Sequence, residues 1–417
     1  MAQTDFPQSG HVVVDEWLAR LRGPSAIGML LQPSRDEQLA KGYGHTLREI
    51  CQQPLTWRET AVRAIGHADL VGQALEAAGG NDGSGALVFT GSGSSVYAGE
   101  CVAVGLQEAL GIPVTAVAAG QLLTHPEGSV PPSGPFGVVS FGRSGNSPES
   151  RAVVDGLLAS EPRASHLVIT CNAGGALATE YRGESRVRTV VLDETTNDQS
   201  LVMTSSFTNM VLASRLLAFS GDHDGYRERA LRVAQGVARL LTGDGADALA
   251  RTARSGFRSA VYLGSGCRFG AARESALKML EMSAGAVPTM PESYLGLRHG
   301  PMSAVHGDTL VVAFLSSDPM VRAYEADLIG ELDQKKLGAR RVVVGSGVPA
   351  DLAPGPDDVV IDAGDGLADE DLVLIDVVVG QLLAFFRCLG AGLRPDSPSA
   401  DGVISRVVSD FAIHRRT

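Results

Sequence analysis

Lysine is nearly missing from this 417-residue chain, whose 35 cationic side chains are 31 arginines and only Lys41, Lys278, Lys335 and Lys336. A lysine inside a motif is therefore informative, because its compact ammonium can change protonation state when buried and the arginine fork cannot. A basic excess is also lacking: the net charge is −12 and the isoelectric point about 5.2, which argues against nucleic acid as a partner and leaves any anionic ligand to local design. The five cysteines, Cys51, Cys101, Cys171, Cys267 and Cys388, show no CxxC spacing. That removes a disulfide framework and a cysteine metal site and fits a reduced cytoplasm. No apolar run reaches 18 residues, and the opening Met-Ala-Gln-Thr-Asp-Phe-Pro-Gln-Ser-Gly has neither a basic start nor an apolar core, so neither a membrane span nor a leader is expected.

What is present is a soluble globular composition, 44% apolar and 20% charged, long enough at about 150 residues per domain for two domains. Residues 1–45 read as an N-terminal extension. From Thr46 to Ala78 apolar spacing predicts helix, with Pro54 dividing it in two. A repeated grammar of short apolar strand, glycine turn and helix then begins: Ala86–Thr90 before Gly91-Ser-Gly-Ser-Ser, Gly137–Phe141 before Gly142-Arg-Ser-Gly-Asn-Ser-Pro, and His166–Thr170 before Cys171-Asn-Ala-Gly-Gly. Residues 222–256 read as a helical connector. The grammar restarts at Ser259–Leu263 before Gly264-Ser-Gly-Cys-Arg and runs through Thr309–Leu315, Arg341–Gly345 and Asp358–Ile361 to an apolar helix over 371–390. The expected fold class is α/β, two tandem doubly wound parallel sheets arising by duplication, over 46–221 and 257–390, with a tail over 391–417. The acidic stretch from Asp351 to Asp371 reads as a solvated loop.

Three motifs carry chemistry. The Gly91 turn opens a helix, so its N–H groups and the helix dipole suit an anion, but a dinucleotide fingerprint would need glycine where Val96 stands. The Gly142 turn adds hydroxyls, an amide and a guanidinium before Pro148. Two such turns on one sheet make a compact cup for a phosphomonoester. The third motif, Arg273-Glu-Ser-Ala-Leu-Lys-Met-Leu-Glu, sets Glu274, Lys278 and Glu281 on one helical face. An ordinary surface stripe is the alternative reading of that spacing, and the apolar neighbours Ala276, Leu277, Met279 and Leu280 count against it. His299 precedes a Gly-Pro break; the other histidines are read as structural.

Taken together, these motifs resemble the sugar isomerase (SIS) family in its tandem arrangement, as in the isomerase half of glucosamine-6-phosphate synthase. Leu201-Val-Met-Thr-Ser-Ser-Phe-Thr-Asn-Met, the tail Gly392-Leu-Arg-Pro-Asp-Ser-Pro and Arg48-Glu-Ile-Cys-Gln-Gln-Pro are similar to the group of tagatose-6-phosphate ketose/aldose isomerases and galactosamine-6-phosphate deaminases. The likeness covers about residues 45 to 412. It implies phosphate-binding roles for Ser94, Ser95, Arg143, Ser144 and Ser147, proton transfer by Glu281, active-site roles for Lys278 and Glu274, and ring opening by His299 donated from a neighbouring subunit of a homodimer. Where the synthase has Ser-Gln-Ser-Gly-Glu-Thr this chain has Gly142-Arg-Ser-Gly-Asn-Ser, and the synthase's C-terminal lysine and its amidotransferase domain have no counterpart. The implied activity is an amino-sugar 6-phosphate isomerase/deaminase without metal or other cofactor. A dehydratase acting on an N-acetylhexosamine 6-phosphate and a non-catalytic sugar-phosphate sensor are the alternatives.

Overall fold

In the computed structural model, residues 13–349, 352, 355–399, 401–407 and 412–414 are described. The opening decapeptide, His11, Asp351, Arg415 and Arg416 lie outside the described residues. The described residues form two compact units, each discontinuous in sequence: those within 56–198, 205–230 and 404–414 gather on the first sheet, and those within 13–55, 199–204 and 231–403 on the second.

The first sheet contains β1 (Ala86–Gly91), β2 (Val114–Ala118), β3 (Phe136–Gly142), β4 (Ala164–Thr170) and β5 (Val187–Val191), all parallel in the order β2-β1-β3-β4-β5. The near-continuous apolar runs of β1, β3 and β4 are fully buried, as a sheet covered by helices on both faces requires. Val88, Phe136 and Val138 pack with Leu122, Val153 and Leu157 of the flanking helices.

The second sheet contains β6 (Ser259–Leu263), β7 (Thr289–Glu292), β8 (Thr309–Phe314), β9 (Arg340–Gly345) and β10 (Val359–Asp362) in the order β10-β9-β8-β6-β7. Read from the other edge, this is the same doubly wound order as the first. The register agrees too: Ala86 faces Phe136 in one sheet and Ser259 faces Thr309 in the other, fifty residues apart in each case. The expected duplicated α/β architecture is therefore observed. Val261, Leu263, Val311 and Val343 meet Leu328, Ile329 and Leu332 in its core.

Some local expectations need correction. The segment from Thr46 to Ala78 lies within three helices, Gly44–Cys51, Gln53–Gly66 and Ala68–Ala77, because Pro54 is the second residue of a helix, where its missing N–H costs no ladder bond. Strands β2, β5 and β7 were not foreseen; all three are sheet edges, short and partly exposed, and Pro291 in β7 is tolerated at an edge. The acidic stretch ending at Asp371 is not a solvated loop throughout, since Asp369 and Asp371 open the Asp369–Gly390 helix and Asp371 is buried. That helix is long and apolar enough by length and composition to cross a membrane, yet 89% of its apolar window is buried within the protein.

Candidate active site

The crossover that sends the chain from β1 to β2 on one side and to β3 on the other leaves a crevice at the carboxyl ends of β1 and β3, the usual ligand position in such sheets. Two turns border it. In the first, Gly93 has φ 57° and ψ −126°, a conformation open essentially to glycine, and caps the Ser94–Leu110 helix without a side-chain bond. Ser94 and Ser95 are its first residues and are both buried to within a few per cent; the Ser95 hydroxyl makes no hydrogen bond among the described residues. The helix therefore presents its positive end and a spare hydroxyl together, while the Ser95 and Val96 N–H groups donate to the Ser92 and Gly93 carbonyls at 3.2 and 3.1 Å.

The second turn follows β3 and is bolted to the loop after β4. Thr170 Oγ1 donates to the Gly142 carbonyl at 2.7 Å, Asn172 Nδ2 to the Ser144 carbonyl at 2.8 Å, and the Ala176 N–H to Asn146 Oδ1 at 2.9 Å. The Ser144 hydroxyl oxygen accepts from the Asn146 N–H, and Pro148 begins the following helix. The guanidinium of Arg143 is largely buried and donates to the carbonyl oxygen of Arg406. Ser147 departs from a ready phosphate donor, because its hydroxyl donates to Glu149 Oε2 at 2.6 Å. Ser94, Ser95, Arg143, Ser144 and Ser147 thus lie on two adjacent turns at one end of one sheet. Asn172 and Arg406 were missed. Asn172 could have been found as the polar residue ending a third strand, whereas Arg406 carries no local signal.

The second sheet carries a separate group of ionisable side chains. The Cys267–Met282 helix follows β6 after Gly266, whose φ 55° and ψ −131° repeat the geometry of Gly93. It packs along the Asp369–Gly390 helix so closely that a Cβ on Gly380 would stand 2.2 Å from the Ser275 hydroxyl. On this helix Lys278 Nζ lies 2.5 Å from Glu281 Oε2 and 3.3 Å from Glu274 Oε1. Glu274 and Lys278 are fully buried, and the Glu281 side chain retains 22% of its exposure. The surface-stripe reading is thereby excluded. Burial pulls the Lys278 ammonium toward neutrality, but Glu274 and Glu281 outweigh it and hold its pKa above the ordinary lysine value. The result is a fixed buried cation whose solvent-facing counterion is a carboxylate, an arrangement suited to moving a proton beside a developing negative charge.

His299 occupies the exposed turn after the Tyr294–Leu297 helix, between Arg298, which pairs with Glu331 at 2.7 Å, and Gly300 with φ 121°. Its ring makes no hydrogen bond or ion pair among the described residues, so within one chain it is not joined to the Glu274–Lys278–Glu281 group.

No protein-family model matches the chain. It is 36% identical over 331 residues to the D-galactosamine-6-phosphate deaminase AgaS of Escherichia coli O157:H7, covering 79% of this chain and 85% of that one. The crystal structure of tagatose-6-phosphate ketose/aldose isomerase from Escherichia coli superposes with a TM-score of 0.79 at 31% identity, over 89% of this chain and 97% of the other. The C-terminal domain of glucosamine-fructose-6-phosphate aminotransferase from Francisella tularensis shares the fold, with a TM-score of 0.68 at 16% identity over 85% and 98% of the two chains. With this identity sustained across most of both sequences, and with two sheets of the same topology, the chain belongs to the D-galactosamine-6-phosphate deaminase AgaS family of tandem sugar isomerase proteins.

Proposed function

We propose that the protein converts a hexosamine 6-phosphate into a ketohexose 6-phosphate and ammonia. The observation that carries this reading is the buried Glu274–Lys278 pair with Glu281 as its one solvent-facing member. Ser94, Ser95, Arg143, Ser144 and Ser147 bind the 6-phosphate. His299 moves a proton between the ring oxygen and the C1 hydroxyl to open the sugar. Glu281 then removes the proton from C2, next to the new aldehyde, and the negative charge that collects on the C1 oxygen is met by Lys278. Returning that proton at C1, with one N–H proton of the amine passing to the C1 oxygen, leaves a ketimine at C2, which water hydrolyses to the ketone with release of ammonia. Glu274 keeps Lys278 charged when Glu281 becomes neutral.

His299 acts from a neighbouring subunit of a homodimer; its exposure and lack of local partners support this, as does Leu295, an apolar side chain 46% exposed on the short Tyr294–Leu297 helix that precedes it. Mixing His299→Ala and Glu281→Gln proteins, each inactive, regains partial activity if sites are shared, and demonstrably mixed dimers that stay inactive would refute it. The cysteine usage supports a cytoplasmic setting.

The test of the reaction is a panel of galactosamine and glucosamine 6-phosphates and their N-acetyl forms, followed by ammonia release and by ultraviolet absorbance. Ammonia with the free amines is expected. Absorbance growth from an N-acetyl substrate without ammonia would replace deamination with elimination of the C3 hydroxyl.

A further inference from the structure

Arg406 joins two loops of the first-sheet unit that the sequence keeps far apart. Its carbonyl oxygen accepts from the Arg143 guanidinium, 263 residues away in sequence. Its own guanidinium points the other way, with Nε donating to the Asp198 carbonyl at 2.8 Å and Nη2 to Asn197 Oδ1 at 3.0 Å. Asn197 and Asp198 belong to the loop after β5, which is itself rigid. The Asp198 carboxylate accepts from the N–H groups of Ser205 at 3.1 Å and Ser206 at 2.9 Å, holding the start of the Ser205–Arg215 helix. Residue 406 is therefore a bolt between the carboxyl-end loop of β3 and that of β5.

The chemistry of the Arg143 contact decides what the bolt does. A carboxylate partner would fix the Arg143 side chain but cancel its charge. The neutral carbonyl of Arg406 takes up an N–H of Arg143 and removes rotamer freedom that would otherwise be lost on binding an anion, without itself cancelling charge. The second guanidinium adds to the positive potential of the same region, while the nearby Asp198 carboxylate is occupied by its N–H donors.

We propose that Arg406 is a positioning residue for phosphate recognition: it holds Arg143 in the phosphate turn without itself touching the substrate. This rests on the reading that the Arg143–Ser147 turn binds the 6-phosphate. The experiment compares Arg143→Ala, Arg406→Ala, Arg406→Lys and the double alanine variant, reading KM and kcat for the sugar phosphate and the inhibition constant for inorganic phosphate, with thermal unfolding as the folding control. Arg406→Ala keeps the backbone carbonyl but removes the guanidinium that anchors it to Asn197 and Asp198, and is expected to raise KM and the phosphate inhibition constant about tenfold, the size of one charge-assisted hydrogen bond weakened at Arg143, with kcat changed less than about twofold. Arg406→Lys, which keeps a cation on the side chain but loses the fork, falls between wild type and alanine, and serves alone if the alanine variant does not fold. In the Arg143→Ala background, removing Arg406 adds less than about twofold, because it acts through Arg143. An unchanged inhibition constant in both Arg406 variants, beside a raised one in Arg143→Ala, overturns the positioning role and spares the phosphate site. Multiplicative effects in the double variant also overturn it. An unchanged inhibition constant in Arg143→Ala removes the phosphate reading itself and the inference with it.

Discussion

At the carboxyl ends of β1 and β3 the chain presents Ser95 and the Arg143–Ser147 turn; at the corresponding ends of β6 and β8 it presents Arg268 and the Ser316–Asp318 turn. The backbone cradle is shared, down to the left-handed Gly93 and Gly266 and the prolines, Pro148 and Pro319, that open the next helices. The contents differ. In the second cradle Arg268 is fully buried, donates to the carbonyls of Leu315 and Val344, and grips Asp376 with two bonds at 2.5 and 2.7 Å. The hydroxyl of Ser316 and the N–H of Ser317 donate to the Asp369 carboxylate at 2.5 and 2.6 Å, and the N–H of Ser316 donates to Glu325 at 2.7 Å. Donors that could have held an external anion are satisfied by the chain's own carboxylates. The following helices are specialised in the opposite sense: counted from Gly93 and Gly266, Cys101, Gly105 and Glu108 stand in the first where Glu274, Lys278 and Glu281 stand in the second. One half thus leaves its cradle open, and the other fills its cradle with the chain's own carboxylates and carries Glu274, Lys278 and Glu281 on the helix that follows.

The largest effect that tests this division is expected from Glu281→Gln. An amide cannot take the C2 proton, so ammonia release and deuterium exchange at C2 fall by about 10²–10⁴-fold, while inhibition by inorganic phosphate is unchanged. A variant that loses phosphate inhibition as well would show that the two halves do not divide the work in this way.

Arg268→Met is expected to act on stability alone. Removing one partner leaves Asp376 buried beside Asp369 and costs about 3 kcal/mol, read as a lowered urea midpoint, with KM unchanged. A raised KM at unchanged midpoint would mean that the second cradle serves the substrate after all.

Acid distinguishes the halves through His166, buried in β4 with both ring nitrogens unpartnered. Burial, helped by the Arg186 charge, lowers its pKa from 6.5 to about 4. Its contribution is complete above the unfolded value and is lost as pH falls from 6.5 toward 4, to a limit of about 3 kcal/mol. Lys278 in the other half has a raised pKa, so its contribution is full below its unfolded value of about 10.4 and does not change in this window. Urea midpoints at pH 7.5 and 4.5 should fall further for the wild type than for His166→Leu; equal falls would place the acid sensitivity elsewhere.

The smallest effect is expected at Glu149. Glu149→Gln removes a negative charge beside the first cradle and weakens the acceptor that holds the Ser147 proton, so KM for the sugar phosphate falls by about two- to fivefold. A rise would mean that Glu149 orients Ser147 productively.

Much of the fold and of the site could be read before the structure, because the signals are local. Buried parallel strands appear as continuous apolar runs, glycines mark the turns, and a period of 3.6 residues places Glu274, Lys278 and Glu281 on one face whatever surrounds the helix. The edge strands β2, β5 and β7 escaped notice since half-exposed strands of four or five residues carry little pattern. Tertiary structure alone decided that Lys278 and Glu274 are buried and Glu281 is open, because burial depends on the Asp369–Gly390 helix that packs over them from about a hundred residues further along. It also decided which cradle is filled: Asp369 reaches Ser316 across 53 residues and Arg406 reaches Arg143 across 263. Periodicity is a property of neighbours in sequence, whereas the partner of a buried charge is whichever residue the folded chain brings within about 3 Å, and no local pattern encodes that distance.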